Sequence, residues 1–345
     1  MARIVMADDG IRFDGRVAEA SPLGGAESAF TALAEEFAAR GHDVTVCNNC
    51  AEAITHKGVN WRPIAQGLPD DSPDMYIANR GDKLIDALPS ARKHVFWTHN
   101  PSTYMVKMRY MAKLWKVKPD IVFIGDYHAT TYPRWAPGGK RHVIPYGITR
   151  LFLDPAPAED IPPPRAIFTS NPLRGLDWLL DVWNERIRPQ VPTAELHLFC
   201  GPGTYGQAGI DKAGPMRKVL QRAWGMAESG VVLREPVRKA ELIDELLASR
   251  VMLYRGDINE TFCYALAEAQ ALGLPCVVQP IGSVIERVVD GETGYIRGDD
   301  AGFAEAAVKI LTDDALWRHQ QQASLARQRL WGWPEAAARF EQLLP

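Results

Sequence analysis

The chain has 345 residues, enough for two domains, and its 46% hydrophobic and 23% charged residues are ordinary globular usage, which excludes a disordered, collagenous or disulfide-stapled chain. A formal net charge of −3 leaves no basic excess to drive nucleic-acid binding, so no nucleic-acid partner is expected. No apolar run approaches the ~20 residues needed to cross a bilayer.

The opening Met-Ala-Arg-Ile-Val-Met-Ala-Asp-Asp lacks the long apolar core of a signal peptide. The odd set of cysteines, Cys47, Cys50, Cys200, Cys263 and Cys276, suits a reducing cytoplasm. Arg3 to Met6 reads as a first strand. Ala26, Ala29, Phe30, Leu33, Ala34 and Phe37 then recur at helical spacing, and Arg40-Gly41 ends that helix. Asp43–Cys47 resumes a strand, so the chain begins with a βαβ unit and a parallel sheet. Further strands are expected at Asp74–Ala78, His94–Thr98, Ile121–Ile124 and His142–Ile144. Proline crowds Asp154 to Arg165, where a linker is expected.

Beyond it the alternation restarts. Strands are expected at Ala166–Ser170, Glu195–Cys200, Val231–Arg234, Val251–Tyr254 and Cys276–Val278. Helices are expected at Leu176–Ile187, Pro215–Met226, Lys239–Leu247, Phe262–Leu272 and Phe303–Leu311. The fold class is therefore α/β, with a second doubly wound domain following the first.

One literal G-x-G-x-x-G stands at Gly201–Gly206, after a strand. No helical period follows it, and Gln221 occupies the place of the acidic residue a dinucleotide fingerprint needs, so a plain loop is the better reading. Gly24-Gly25 opens the first helix, either as a tight turn or as a close approach of backbone to an anion. Cys47-Asn-Asn-Cys50 has the C-x-x-C spacing, but His42 lies at the far end of the strand, so four convergent ligands are not expected and no metal site is assigned. Glu260-Thr-Phe-Cys-Tyr-Ala-Leu-Ala-Glu268 sets two carboxylates across a loop–helix junction. The first N–H groups there, on Thr261, Phe262 and Cys263, would face a bound phosphate, with Glu268 about two turns into the helix. Met105 to Lys118 interleaves methionine, aromatic and basic residues. It reads either as a helix on the sheet with solvated lysines or as a membrane-surface patch.

Together these pieces resemble the retaining glycosyltransferases of family 4, which have the GT-B fold of two facing Rossmann-like domains with a cleft between them. The resemblance runs through Gly24-Gly-Ala-Glu27, Phe96-Trp-Thr-His99, Val143–Ile148, Ser170–Asp177 and the E-x7-E block from Glu260 to Tyr295. It implies an N-terminal acceptor-side domain over 1–153, completed by a C-terminal segment at 315–345, and a nucleotide-sugar domain over 154–314. It also implies that Glu260 bonds hydroxyls of the donor sugar, Glu268 holds the ribose diol and Arg174 neutralises the diphosphate. Thr261, Phe262 and Cys263 would add main-chain N–H groups, His99 would contact the transferred sugar, and Gly24-Gly25 would close over the phosphates.

Many members carry a second cation about five positions before the Lys/Arg-Gly pair. Here that place is Thr169-Ser-Asn-Pro, so Arg174 acts alone or Arg255 or Arg234 substitutes. The implied chemistry is a front-face displacement with no protein nucleophile. No Asp-x-Asp occurs anywhere in the chain, and no metal or other cofactor is expected. The acceptor would be a glycan, a lipid-linked molecule or a small molecule. A nucleotide-sugar epimerase of the same architecture, or a non-catalytic nucleotide- or glycan-binding protein, are the alternatives.

Overall fold

A computed structural model describes residues 1–17, 23–201 and 213–345. Two compact units divide the chain: Met1–Gly147 with Trp331–Pro345, and Ile148–Leu330.

The first unit is built on an eight-stranded sheet. Its strands are β1 (Arg3–Asp8), β2 (Asp43–Asn48), β3 (Ile54–His56), β4 (Val59–Pro63), β5 (Met75–Asn79), β6 (His94–Trp97), β7 (Asp120–Phe123) and β8 (Arg141–Val143), in the order β3-β4-β2-β1-β5-β6-β7-β8. All pairings are parallel except β3 with β4. Ile4 faces Val44 on one side and Met75 on the other, and Ile4 to Ala7 are all buried, as expected of a central strand covered on both faces. The helix Gly25–Ala39 buries Ala29, Phe30, Leu33, Ala34 and Phe37 and gives way to Gly41 at φ +87°.

The β3–β4 hairpin is absent from the sequence reading. Its turn, Lys57-Gly58, has positive φ at both residues (47° and 76°), the geometry usually signalled by Asn-Gly. With lysine in the first position that signal is missing.

The second unit carries six parallel strands: β9 (Arg165–Phe168), β10 (Glu195–Phe199), β11 (Val231–Arg234), β12 (Val251–Tyr254), β13 (Cys276–Val278) and β14 (Gly294–Ile296). Their order is β11-β10-β9-β12-β13-β14. The sequence reading identifies all but the short β14. The helix expected over Leu176–Ile187 is α-helical to Val182 and finishes in a π turn, Trp183–Ile187.

The proline-rich stretch expected as a linker lies inside the second unit, and the division falls at Gly147. Proline removes N–H donors but leaves carbonyls free to accept, and the helix Asp314–Gln328 and the residue after it use them. Arg318 and Gln321 donate to the Ala158 carbonyl (3.1 and 2.9 Å), and Arg329 donates to that of Pro155 at 2.6 Å. The same helix is tied to the sheet by Trp317, whose indole N–H donates to Arg250 O at 2.9 Å, and by the Arg250–Asp314 ion pair at 2.8 Å. Residues 315–330 therefore belong to the second unit. The return to the first unit begins at Trp331 and supplies the helix Trp333–Glu341, whose Phe340 ring packs 5.2 Å from Trp97.

Strand order fixes where ligands can bind. In the first sheet the chain winds from β1 outward through β2 and β4, then returns to start β5 on the other side of β1. In the second it winds from β9 through β10 to β11, then returns to β12 beside β9. At each reversal the loops leaving neighbouring strands diverge to opposite faces and open a crevice beyond their carboxyl ends. The loops after β1 and β5, and those after β9 and β12, are the two places to look.

Candidate functional site

Beyond β9 and β12 the second unit gathers the strongest group of predicted residues. Arg174 lies on the loop after β9, just before Gly175, which takes φ +83° to start the helix Leu176–Val182. Its guanidinium donates to Glu260 Oε2 at 2.7 Å. Tyr254, the last residue of β12, donates its hydroxyl to the same oxygen at 2.6 Å. Burial pushes the Tyr254 hydroxyl far above its usual range, so it stays protonated and remains a donor. Both bonds fall on Oε2, so Oε1 carries neither. The Glu260 backbone is held as well: its N–H donates to Asp257 O at 2.9 Å and its carbonyl accepts from Ser283 N–H at 3.2 Å.

Arg255 begins the loop after β12. Its side chain lies against Gly175, where a Cβ would come within 2.9 Å of the Arg255 Cβ and 3.0 Å of its Cδ. Its guanidinium donates to Gln279 Oε1 at 3.3 Å and sits 5.6 Å over the Trp178 ring, and neither contact carries a negative charge. Arg234 ends β11, separated from β12 by β10 and β9. Of the two candidate substitutes for the missing cation, Arg255 is the one placed beside the Arg174-Gly175 pair.

Two expectations about this junction are corrected. The helix begins at Tyr264, because Cys263 adopts φ +64° and ends the preceding loop. Thr261, Phe262 and Cys263 are thus buried loop residues, and the helical N–H groups start at Tyr264. Glu268 is the fifth helical residue, little more than one turn in, on the face of Tyr264. Its buried carboxylate accepts from the Lys239 ammonium, which also lies 5.4 Å over Phe152 and 5.5 Å over Tyr264. Burial raises the Cys263 thiol well above its usual range, which keeps it neutral.

The predicted residues of the first unit form a separate network. His99 is buried with both ring nitrogens engaged, Nδ1 by the Tyr146 hydroxyl and Nε2 by Asn79 Oδ1. Asn79 donates in turn to Asp8 Oδ2 at 2.5 Å, which orients its amide so that Nε2 of His99 carries the proton. Burial, reinforced by the nearby Arg80 charge, pushes His99 well below the usual imidazole range. It is a neutral, fixed group. Gly24 caps the first helix at φ −59°, Gly25 is its first residue, and Ser28 N–H donates to Gly24 O at 2.9 Å. Glu27 in the first turn pairs with Arg80 at 2.6 Å, so an anion at this terminus would compete with a resident carboxylate.

The 105–118 stretch is a turn over Ser102–Val106 and a helix over Met108–Val117. Met105, Tyr110 and Leu114 face inward, while Met108 and Trp115 are 79% and 71% exposed. Arg109 and Lys113 pair with Asp82 and Asp86 (3.4 and 2.7 Å). Cys47 and Cys50 are buried free thiols, Cys47 pushed up to about 11 by burial. Among the described residues no three His, Cys, Asp or Glu side chains converge to hold a metal ion. Gly203 and Gly206 of the G-x-G-x-x-G lie outside the described residues.

Sequence reasoning missed Tyr254 and Lys239, because an apolar strand end and a helix start advertise no chemistry. It also missed Asp8, Asp9 and Arg80. The runs Asp8-Asp9-Gly10 and Arg80-Gly81-Asp82 each follow a strand, so working out the strand order from the connections would have singled them out.

Sucrose-phosphate synthase from Thermosynechococcus elongatus superposes with a TM-score of 0.75 at 18% identity, covering 99% of this chain and 98% of that one. The Anabaena HepE structure in complex with UDP and glucose gives 0.71 at 14% identity, with 99% of both chains covered. The fold is therefore the GT-B architecture of two Rossmann-like domains. The N-acetyl-alpha-D-glucosaminyl L-malate synthase of Bacillus anthracis is 33% identical over 95 residues, 27% of this chain and 24% of that protein. A D-inositol 3-phosphate glycosyltransferase of Streptomyces avermitilis is 31% identical over 133 residues, 38% of this chain and 28% of that protein. The chain thus aligns with only about a quarter of the length of these curated relatives. Residues 164–313, which contain Arg174, Arg255, Glu260 and Glu268, match the family model of glycosyl transferases group 1.

Proposed function

We propose that the chain is a retaining glycosyltransferase that moves a sugar from a nucleotide-diphosphate sugar to a glycan, lipid-linked or small-molecule acceptor. One observation carries this reading. Arg174, Arg255 and the Tyr254-held Glu260 meet where the second sheet reverses its winding, inside the stretch that matches group 1 glycosyl transferases. Structures of the same fold in complex with UDP or UDP-glucose support a uridine diphosphate sugar as the first donor to try. The relatives named for malate and inositol 3-phosphate support a small acceptor.

Each residue then has a task. Glu260, oriented through Oε2, offers Oε1 to a donor hydroxyl. Glu268 and Lys239, paired with each other, hold the ribose end of the nucleotide. Arg174 and Arg255 meet the charge that grows on the diphosphate as the glycosidic bond lengthens, and a guanidinium fork suits phosphate oxygens. With two guanidiniums in that role the transfer runs without a divalent metal. The acceptor oxygen attacks the anomeric carbon from the face the phosphate leaves, and a phosphate oxygen takes the acceptor proton. The protein's part is positioning and charge stabilisation. His99, neutral and tied on both nitrogens, is a positioning residue that fixes Asn79 and Tyr146. Five unpaired cysteines suit the cytoplasm, and the exposed Met108 and Trp115 among lysines form a surface for its anionic membrane face.

The test is incubation with UDP-, GDP- and ADP-sugars, with and without EDTA. Release of free nucleoside diphosphate, unchanged by the chelator and with the anomeric configuration kept in the product, is expected. Sugar isomerisation without release would favour an epimerase, binding without release a non-catalytic protein, and loss of rate with EDTA would overturn metal independence.

A further inference from the structure

The crevice where the first sheet reverses its winding also forms an open surface pocket. It has a volume of about 310 Å³ and is walled by Asp9 beyond β1, Arg80 and Asp82 beyond β5, Asn100 beyond β6, and Tyr104 and Tyr110. That volume falls at the small end of ligand pockets, about the size for a single ring.

Its charge is set by carboxylates. Among the described residues Arg80 is the only cation on the wall, and its Nη2 bonds Glu27 at 2.6 Å and lies 3.3 Å from Asp8. Those two carboxylates already match its charge, which weakens its pull on a phosphate or carboxylate ligand. Counting Arg109, which reaches Asp82 at 3.4 Å, two guanidiniums stand against the four carboxylates Asp8, Asp9, Glu27 and Asp82. Burial raises the pKa of Asp8, and treating it as neutral still leaves three carboxylates against two cations. The field in the crevice is therefore negative.

The walls are shaped for a ring with a non-polar face. Tyr104 and Tyr110 meet edge to face with centroids 5.1 Å apart. Their hydroxyls are tied back, Tyr104 to Thr98 Oγ1 at 2.9 Å and Tyr110 to Arg80 O at 3.1 Å, so the rings contribute surface rather than polar groups. Arg80 holds this geometry at φ +48°, a left-handed conformation that costs about 1 kcal/mol or more and persists where surroundings enforce it. Gly81 lies against Asp9, where a Cβ would come within 2.7 Å of the Asp9 carboxyl carbon, so the lack of a side chain keeps that carboxylate in place.

We propose that this crevice binds a small polyhydroxylated ring bearing an ammonium group and rejects the phosphorylated counterpart. Asp9 and Asp82 take the ammonium and neighbouring hydroxyls, Asn100 takes a further hydroxyl, and the tyrosine rings take the C–H face and the cation's flank. That this ligand is the acceptor of sugar transfer rests on the function proposed above; the site itself stands on the first unit alone.

The experiment titrates the full chain by calorimetry at low salt with glucosamine, glucose and glucose 6-phosphate, one ring carrying an ammonium, no charge or a phosphate. Glucosamine is expected to bind about tenfold or more tighter than glucose, and glucose 6-phosphate not at all. In the D9N/D82N variant, with unchanged Tm, the two uncharged-to-cationic ligands should bind alike. Tightest binding by glucose 6-phosphate, an ammonium preference that survives D9N/D82N, or no saturable binding by any of the three overturns the proposal. Nucleoside diphosphate release is read separately. Glucosamine binding without release from any donor overturns the transfer reading and leaves the site standing; release stimulated by glucose 6-phosphate and not by glucosamine overturns the site.

Discussion

Acid should loosen the first unit through His128. This residue is fully buried, its Nδ1 accepts from Ile124 N–H at 3.2 Å, and its Nε2 donates to Asn100 O at 2.8 Å. Protonating Nδ1 would turn that acceptor into a donor facing another donor. Burial accordingly lowers the imidazole from 6.5 to about 4. An imidazole held below its unfolded value contributes stability above about pH 6.5, and that stability is lost as pH falls toward the folded value. Over that window the unfolded chain binds a proton the fold refuses. By about pH 4.5 the loss from this one group is about 2.5 kcal/mol. Urea unfolding followed by tryptophan fluorescence, at about pH 7 and pH 4.5, compares wild type with His128→Gln. The variant is less stable at neutral pH because it loses the Ile124 bond, and the gap should close by about 2.5 kcal/mol in acid. A gap that stays constant with pH would refute the reasoning.

Three other outcomes are expected. Gly147→Ala would set a Cβ 2.5 Å from the Trp333 Cα, so it should destabilise by more than about 2 kcal/mol in thermal unfolding, and a neutral result would show that the returning helix is not seated as described. Arg255→Ala should lower kcat by about ten- to a hundredfold with a smaller change in donor KM, and Arg255→Lys should restore part of it; unchanged kcat would leave Arg174 as sole cation. Wild type should co-sediment with anionic vesicles at low salt and M108E/W115E should not; no sedimentation of wild type would dismiss the membrane surface.

The central parallel strands were legible because their apolar runs are unmistakable, while the short β4 and β14 were not. Ile4 to Ala7 and Val251 to Tyr254 could hardly be anything else, buried as they are on both faces. Gly41, which takes a positive φ, marked the end of its helix correctly. Arg174 and Glu260 were legible through the resemblance, and the structure brings them together at 2.7 Å. What stayed hidden depends on through-space partners. Nothing local announces that Lys239 reaches Glu268, 29 positions away, or that Tyr254 orients Glu260. The proline-rich stretch misled because proline's missing donor suggests free chain, while the carbonyl of Ala158 within it is held by Arg318 and Gln321 and that of Pro155 by Arg329. The early start assigned to the Glu260–Glu268 helix failed at Cys263, a left-handed residue that is not glycine.

Turnover of Arg174→Ala and Glu260→Ala against wild type, read as nucleoside diphosphate released from the donor that wild type uses, tests the central claim most directly. Losses of about a hundredfold or more are expected in each; Arg174→Ala should stay within about 1 kcal/mol of wild-type stability, and Glu260→Ala, which leaves the buried Tyr254 hydroxyl without its acceptor, should lose about 1–3 kcal/mol and still fold. Full activity in both variants, or no release by wild type from any nucleotide sugar, would contradict it.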